Sequence, residues 1–210
     1  MLNAFFAAAA GYLMGSVNSA VIISKLFYKD DVRTHGSGNA GTTNMLRTYG
    51  VKAAIATFLG DVLKGFLAVL LAKCLIAWTG SSFPAVYAAY IAGYGAVLGH
   101  MFPLYFHFKG GKGVATALGA VFAIAPTIFG LLFPVGLVIA GVSGFVSLAS
   151  LTGATMFPFV VWFYLYRTDR FDVIELLFAF GMAALIIYNH RENIKRLLSG
   201  TENKFYKKKK

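Results

Sequence analysis

"HGSGNAGTTNMLR", residues 35–47, matches a dinucleotide-binding fingerprint letter for letter, with Gly36, Gly38 and Gly41 standing as G-x-G-x-x-G. That fingerprint needs a strand before the glycines, a helix after them, and an acid about 20 residues on to bind the ribose. The segment instead follows an apolar block and a charged loop. The acid at the right distance, Asp61, lies inside the next apolar block, "FLGDVLKG", where no ribose could reach it. The Rossmann reading therefore fails. The chemistry beneath the pattern survives, because closely spaced glycines let backbone N–H groups turn together toward an anion.

The residues around this stretch decide the class. Hydrophobic residues make up 58% of the 210 and charged residues 13%, against about a quarter charged in a soluble domain. The apolar residues come in blocks, several of them long enough for a hydrocarbon core, which needs about 20 residues. The sequence predicts an all-α polytopic membrane bundle of about seven spans, at 3–24, 53–77, 84–106, 114–132, 134–151, 154–166 and 172–189. It is read as one integral membrane domain, 1–210, with 190–210 as a tail. The spans at 134–151 and 154–166 are the weakest, one rich in glycine and serine and the other short. A five-span version that merges the weak helices would keep the same orientation.

Charge orients the bundle. No Lys or Arg precedes Lys25, which places the N-terminus outside and the first loop inside. Of the 19 basic residues, all but Lys64, Lys73, Arg167 and Arg170 then fall on the cytoplasmic side, together with His35, His100, His107 and His190. The net charge of +11 reports topology and anionic lipid here, not nucleic acid. The Lys207–Lys210 run is expected to lie near anionic headgroups. The single Cys74 allows no internal disulfide.

Three polar clusters map to that side. In the first, Gly38 and Gly41 shape a nest to which Ser37, Asn39, Thr42, Thr43 and Asn44 add donors, and Arg47 adds a planar fork suited to phosphate. A helix is expected to begin near Thr42 or Thr43, bringing its N-terminus to the anion. The second is "GHMFPLYFHFKGGKGVAT", residues 99–116. It is not a Walker motif, since Lys112 is followed by Gly113 and not by Ser or Thr. Gly110, Gly111 and Gly113 around Lys112 still make a second phosphate cradle, opening a helix whose first turn holds Thr116. The third is "HRENIKRLLSGTENK", residues 190–204, with His190, Asn193 and Arg196 on one side of a helix.

Absences narrow the chemistry. No histidine is followed by Asp at the fifth position; Ala40, Tyr105, Lys112 and Lys195 stand there. The His–Asp pair of many acyltransferases is missing, as is any G-x-S-x-G nucleophile elbow. Eight acidic residues argue against a carboxylate-rich metal site.

The three clusters, in this order and over nearly the whole chain, closely resemble the PlsY family of bacterial acyl-phosphate-dependent glycerol-3-phosphate acyltransferases. Ser37–Arg47 follows that family's S-G-N-x-G-x-T-N-x-x-R. Gly99–Thr116 follows its second motif, with Tyr105 where Phe is commoner, and His190–Glu202 follows its third. The resemblance implies a seven-helix enzyme of the bacterial cytoplasmic membrane with its site on the cytoplasmic side. Its substrates would be acyl-phosphate and glycerol 3-phosphate, its products lysophosphatidic acid and phosphate, with no metal and no cofactor. Ser37, Arg47, Lys112, His190 and Asn193 are the implied catalytic set. Gly38, Asn39, Gly41, Thr43, Asn44, His100, Gly110, Gly111, Gly113, Thr116, Ser143, Arg196 and Glu202 are the implied binding set. A monomer suffices, and the oligomeric state stays open.

Acyl-phosphate is a mixed anhydride with a good leaving group, so positioning and electrostatics can carry transfer without a protein nucleophile. Direct attack by the glycerol hydroxyl is expected, with Arg47 and Lys112 neutralising phosphate and His190 and Asn193 orienting the acceptor. A substrate phosphate oxygen is the expected proton acceptor. Ser143 is expected to line the pocket or to pack between helices. Asp61 and Lys64, three apart on one helix face, are expected to be a structural ion pair. An organic-anion transporter is the alternative class, since broken helices and glycine loops suit anion sites there too.

Overall fold

A computed structural model describes residues 2–205, among which all regular structure is helical. The Lys207–Lys210 run lies outside the described residues. The chain divides at Ala125/Pro126 into two compact units.

In the first unit the opening apolar stretch is two helices, α1 (Leu2–Gly15) and α2 (Ser19–Tyr28). Asn18 makes the second start: its side-chain oxygen accepts from the Val21 N–H at 3.1 Å, a standard N-cap. After a short 3-10 turn at Val32–Thr34 come α3 (Thr42–Tyr49), the long α4 (Val51–Thr79), α5 (Ala85–Met101) and α6 (Val114–Ile124). The 29 residues of α4 span about 43 Å at 1.5 Å each.

Small residues set the packing of α1 on α5. A Cβ added at Gly11 or Gly15 would strike the backbone of Ala92 or Ala96, and one at Gly99 would strike that of Tyr12. Gly65 of α4 approaches Thr116 of α6 in the same way, and Gly119 approaches Val62. In lipid, helix association relies on such close backbone contact, since apolar burial gives no preference for protein over acyl chains. At one end of this unit Ala20, Val21, Val32, Ala40, Met45 and Ala53 form a buried cluster under the first glycine loop. It anchors that loop to α2 and α4.

The second unit holds α7 (Pro126–Ser143), α8 (Val146–Arg167), α9 (Val173–Asn189) and α10 (Arg191–Leu198). Within it α8 packs against both α7 and α9. Asp172 caps α9 by accepting from the N–H groups of Ile174 and Glu175. Leu131, Leu137, Val138 and Val142 of α7 and Phe159 and Phe163 of α8 are exposed, as lipid-facing side chains are.

Five stretches are long and apolar enough to cross a membrane: Leu2–Tyr28, Val51–Thr79, Ala85–Phe106, Pro126–Ser143 and Val146–Arg167. The α9–α10 pair, bent by 61°, makes a sixth if counted as one. The expected fourth span, 114–132, is redrawn. Its helix stops at Ile124, and 11 residues reach only about 16 Å. Pro126 disfavours helical backbone at Ala125, which is non-helical, and itself opens the next helix. Pro134 and Pro158 lie inside α7 and α8. The break in this region falls at Gly144, whose φ of 78° ends α7.

Candidate active site

The first glycine loop is held from within by Asn44. This buried side chain donates to the carbonyls of Val32 and His35, each at 3.0 Å, and accepts from the Ser37 N–H at 3.1 Å. Gly36 and Gly38 take left-handed backbone, φ 57° and 68°, and a Cβ on Gly36 would strike the Asn44 amide oxygen. Asn44 was expected to offer donors to a ligand; both of its N–H bonds go to the loop itself. Ser37 remains on the exposed rim, and Asn39, Gly41 and Thr43 are half-buried where α3 begins. Gly41 precedes α3 without a side-chain cap, so no side chain of the cap residue competes for the first-turn N–H groups, the donors that bind anions at a helix start. Arg47, one turn after Thr43, is exposed.

The second loop meets the first. The Ala40 N–H reaches the Gly110 carbonyl at 3.4 Å, and the Gly111 N–H donates to the His100 carbonyl at 3.1 Å. Gly113, at φ 83°, opens α6 with no side-chain cap. Lys112 stands between Gly111 and Gly113, partly exposed. The fit is too tight for side chains. A Cβ at Gly110 would meet the His100 carbonyl, and one at Gly111 would meet the His100 ring and the Ala40 carbonyl. Thr116, expected to face the anion, is fully buried against α4, and its hydroxyl has no partner among the described residues.

Arg33, absent from the expected site, ties the loops together. Its Nη1 donates to the carbonyls of Phe106 at 2.9 Å and Lys109 at 3.2 Å, while Nε and Nη2 grip Asp31 at 2.9 and 2.7 Å. Hydrogen bonding from Arg33 lowers the Asp31 carboxyl to about 2 against the opposing effect of its partial burial, and Arg33 is raised in turn. Beside it Asp30 accepts from the Tyr49 hydroxyl at 2.9 Å and pairs with His35 Nε2 at 2.6 Å. The Asp31 N–H, then Tyr49, hold Asp30 below its ordinary value; burial first, then Asp30, pushes Tyr49 up to about 12. No spacing in the sequence marked Arg33, because its carbonyl partners lie more than 70 residues away.

His100 was also expected to touch phosphate. It is buried, with Nδ1 at 2.9 Å from Lys64 Nζ and 3.5 Å from Asp61 Oδ1. Asp61 and Lys64 form the expected ion pair at 2.9 Å.

The third cluster, in the second unit, centres on Glu202. Its buried carboxylate accepts from Asn193 Nδ2 at 2.8 Å, Arg196 Nε at 2.8 Å and the Ser147 hydroxyl at 3.0 Å. Burial would raise the Glu202 carboxyl, but the bonds from Arg196, Asn193 and Ser147 outweigh it and hold it below its usual value. His190 Nδ1 donates to the Ile186 carbonyl at 2.8 Å, which leaves Nε2 as the ring's acceptor. Ser143 donates to the Ile139 carbonyl and accepts from the Phe145 N–H, closing the end of α7. Ser147 escaped the sequence reading, since nothing in its spacing points 55 residues on. No cluster of three or more His, Cys, Asp or Glu among the described residues is arranged to hold a metal ion.

Comparison with known proteins gives the family of this chain. The family "Glycerol-3-phosphate acyltransferase" matches residues 5–200. The chain belongs to the glycerol-3-phosphate acyltransferase family. It is 41% identical to the glycerol-3-phosphate acyltransferase of Thermoanaerobacter pseudethanolicus, over 99% of this chain and 98% of the relative. Against that of Clostridioides difficile it is 42% identical, over 96% and 95%. Among solved structures it is similar to PlsY, an integral membrane glycerol 3-phosphate acyltransferase, in its glycerol 3-phosphate form. The TM-score is 0.81 at 41% identity, covering 97% of this chain and 96% of that one. The lysophosphatidic acid form of PlsY matches with a TM-score of 0.78, covering 96% and 94%. Both glycine loops and most of the third cluster fall within the matched family region.

Proposed function

We propose that this chain transfers a fatty acyl group from acyl-phosphate to the 1-hydroxyl of glycerol 3-phosphate, forming lysophosphatidic acid and inorganic phosphate. The observation that carries the reading is the pair of glycine loops in the first unit. Each opens a helix N-terminus, each bears a cation (Arg47 or Lys112), and they are joined through Ala40, Gly110 and Arg33. Two adjoining anion cradles suit a reaction in which donor and acceptor both carry phosphate. The relatives' names supply the acceptor, and the PlsY structures in glycerol 3-phosphate and lysophosphatidic acid forms bracket the same reaction.

The hydroxyl oxygen attacks the acyl carbonyl carbon, and the bond from that carbon to the phosphate oxygen breaks. The attack is direct, so no protein nucleophile enters, and the hydroxyl proton passes to a phosphate oxygen. Arg47, Lys112 and the loop N–H groups lower the energy of the phosphates and of the negative charge that develops between them. Ser37 on the rim donates to the same anions. His190, through Nε2, and Asn193 orient the acceptor, with Glu202 and Arg196 fixing Asn193; this part of the proposal rests on the third sequence motif. The whole chain acts as one catalytic domain, a monomer being sufficient. It lies in the bacterial cytoplasmic membrane with seven spans, the short α6 and the bent α9–α10 pair counted with the five long stretches, the N-terminus outside, and the loops and tail on the cytoplasmic side. The basic tail meets anionic headgroups there. The charge distribution supports this orientation.

The test is lysophosphatidic acid formation by purified protein, with acyl-phosphate and acyl-CoA of matched chain length as donors. Transfer from acyl-phosphate alone is expected. A CoA thioester brings a nucleotide for which the loops offer no soluble surface. Comparable rates from both donors would overturn the donor assignment, and no transfer from either would overturn the reaction.

A further inference from the structure

The buried charges of the first unit have more partners than an ion pair needs. Lys64 Nζ lies 2.9 Å from Asp61 Oδ1, 2.8 Å from the Val17 carbonyl and 2.9 Å from His100 Nδ1. The last two are hydrogen bonds, while the contact with Asp61 is an ion pair whose geometry leaves Oδ1 without a hydrogen bond among the described residues. With Nδ1 accepting, the His100 proton sits on Nε2, the nitrogen that faces Gly111. A buried pair is weak evidence for stability, since apolar side chains of similar size often serve as well. Ionised groups at such depth mark function more often than packing.

The partners trace a ring. Lys64 holds the Val17 carbonyl in the break between α1 and α2. The next residue, Asn18, caps α2 and donates to the Ala40 carbonyl at 3.4 Å. Ala40 donates to the Gly110 carbonyl, and Gly111 donates to the carbonyl of His100. The His100 side chain returns to Lys64, which is paired with Asp61. The first loop, the second loop, the α1–α2 break and the middle of α4 are thus joined in one closed circuit with Asp61 and Lys64 at its buried end.

We propose that Asp61, Lys64 and His100 are positioning residues, a buried hub that sets the spacing of the two glycine loops and through it their grip on phosphate. The inference rests on the reading of those loops as phosphate cradles. It assigns His100 a place behind the loop rather than against the substrate, and it gives the Asp61–Lys64 pair a task beyond holding α4.

The experiment measures inorganic phosphate binding by calorimetry, KM for glycerol 3-phosphate, and the melting temperature, on purified full-length protein. Asp61→Asn and His100→Leu are expected to weaken phosphate binding and raise KM by about tenfold or more, as lost charge-assisted contacts do, at temperatures where both are folded. His100→Asn, whose Oδ1 takes the place of Nδ1 as acceptor for Lys64, is expected to stay within about threefold of wild type, since the hydrogen bond is kept. Asn18→Ala opens the ring from the far side with the ion pair intact, so it reads the same effect should Asp61→Asn fail to fold. Folded variants that bind phosphate as wild type does, with only the melting temperature changed, would overturn the hub. So would wild-type protein that binds no phosphate. Wild-type phosphate binding without acyl transfer would sink the proposed reaction alone; normal transfer with unaffected variants would sink the hub alone.

Discussion

Replacing Glu202 by Gln removes one charge at the centre of the third cluster and changes almost no volume. In the structure Oε1 accepts from Asn193 and Ser147, and Oε2 accepts from Arg196. A Gln oxygen can keep the first two bonds, but its amide nitrogen then faces the Arg196 Nε–H, donor against donor. A hydrogen bond to a charged group contributes about 1.5–3 kcal/mol. Glu202 is 5% exposed and Arg196 is 36% exposed, so solvent screening brings the expected loss to about 1–2 kcal/mol. For a chain of this length each kcal/mol shifts the melting temperature by about 2–4 °C, so Glu202→Gln should melt about 2–8 °C lower. Glu202→Ala, which also strands the buried Asn193 amide, should melt lower still. The stabilisation has a defined pH window. The native carboxyl sits below its ordinary value, so the contribution is fully present above the unfolded pKa of about 4.3 and is lost as pH falls through the native one. The assay is thermal unfolding in detergent at pH 7 and at pH 4. The wild-type advantage over Glu202→Gln should shrink at the lower pH. A Glu202→Gln protein that melts like wild type at pH 7 would refute the account of Glu202 as the cluster's keystone.

Lys112→Ala should lower turnover more than about tenfold, because a lost charge-assisted phosphate contact costs about 1.5–3 kcal/mol and 1.36 kcal/mol is a factor of ten; an unchanged initial rate would remove Lys112 from the mechanism. With the exposed Cys74 replaced by Ala, a cysteine at Thr34 should react with an impermeant thiol reagent only from the cytoplasmic side and one at Arg170 only from outside. The reverse labelling pattern would invert the topology. Gly15→Leu should abolish folded protein, since even a Cβ there strikes the Ala96 backbone, whereas Gly130→Leu, with open space around it, should express as wild type. Equal yields of the two would show that the α1–α5 contact does not govern assembly.

Much of the molecule was legible along the chain. Apolar blocks interrupted by polar islands can only be helices in lipid, because a bilayer leaves backbone groups no other partners. The islands carry the expectation of an anion site, through glycines beside Ser, Asn, Lys and Arg. Helix limits were less legible. Pro126 ends one helix and begins the next, while Pro134 and Pro158 are absorbed inside α7 and α8. A proline's effect depends on which neighbours satisfy the backbone groups it frees, and those neighbours are distant in sequence.

The sequence by itself determined which chemical groups gather: two glycine loops, their cations, and a His-Asn-Arg-Glu segment in fixed order. What only the tertiary structure decided is which way each group points. Asn44 turns inward to clamp its own loop, Arg196 turns to Glu202, His100 backs the second loop, and Arg33 bridges to carbonyls more than 70 residues on. The physical reason is satisfaction of polar groups. A buried donor takes whichever acceptor folding brings within about 3 Å, and that choice depends on distances in space that residue spacing does not encode.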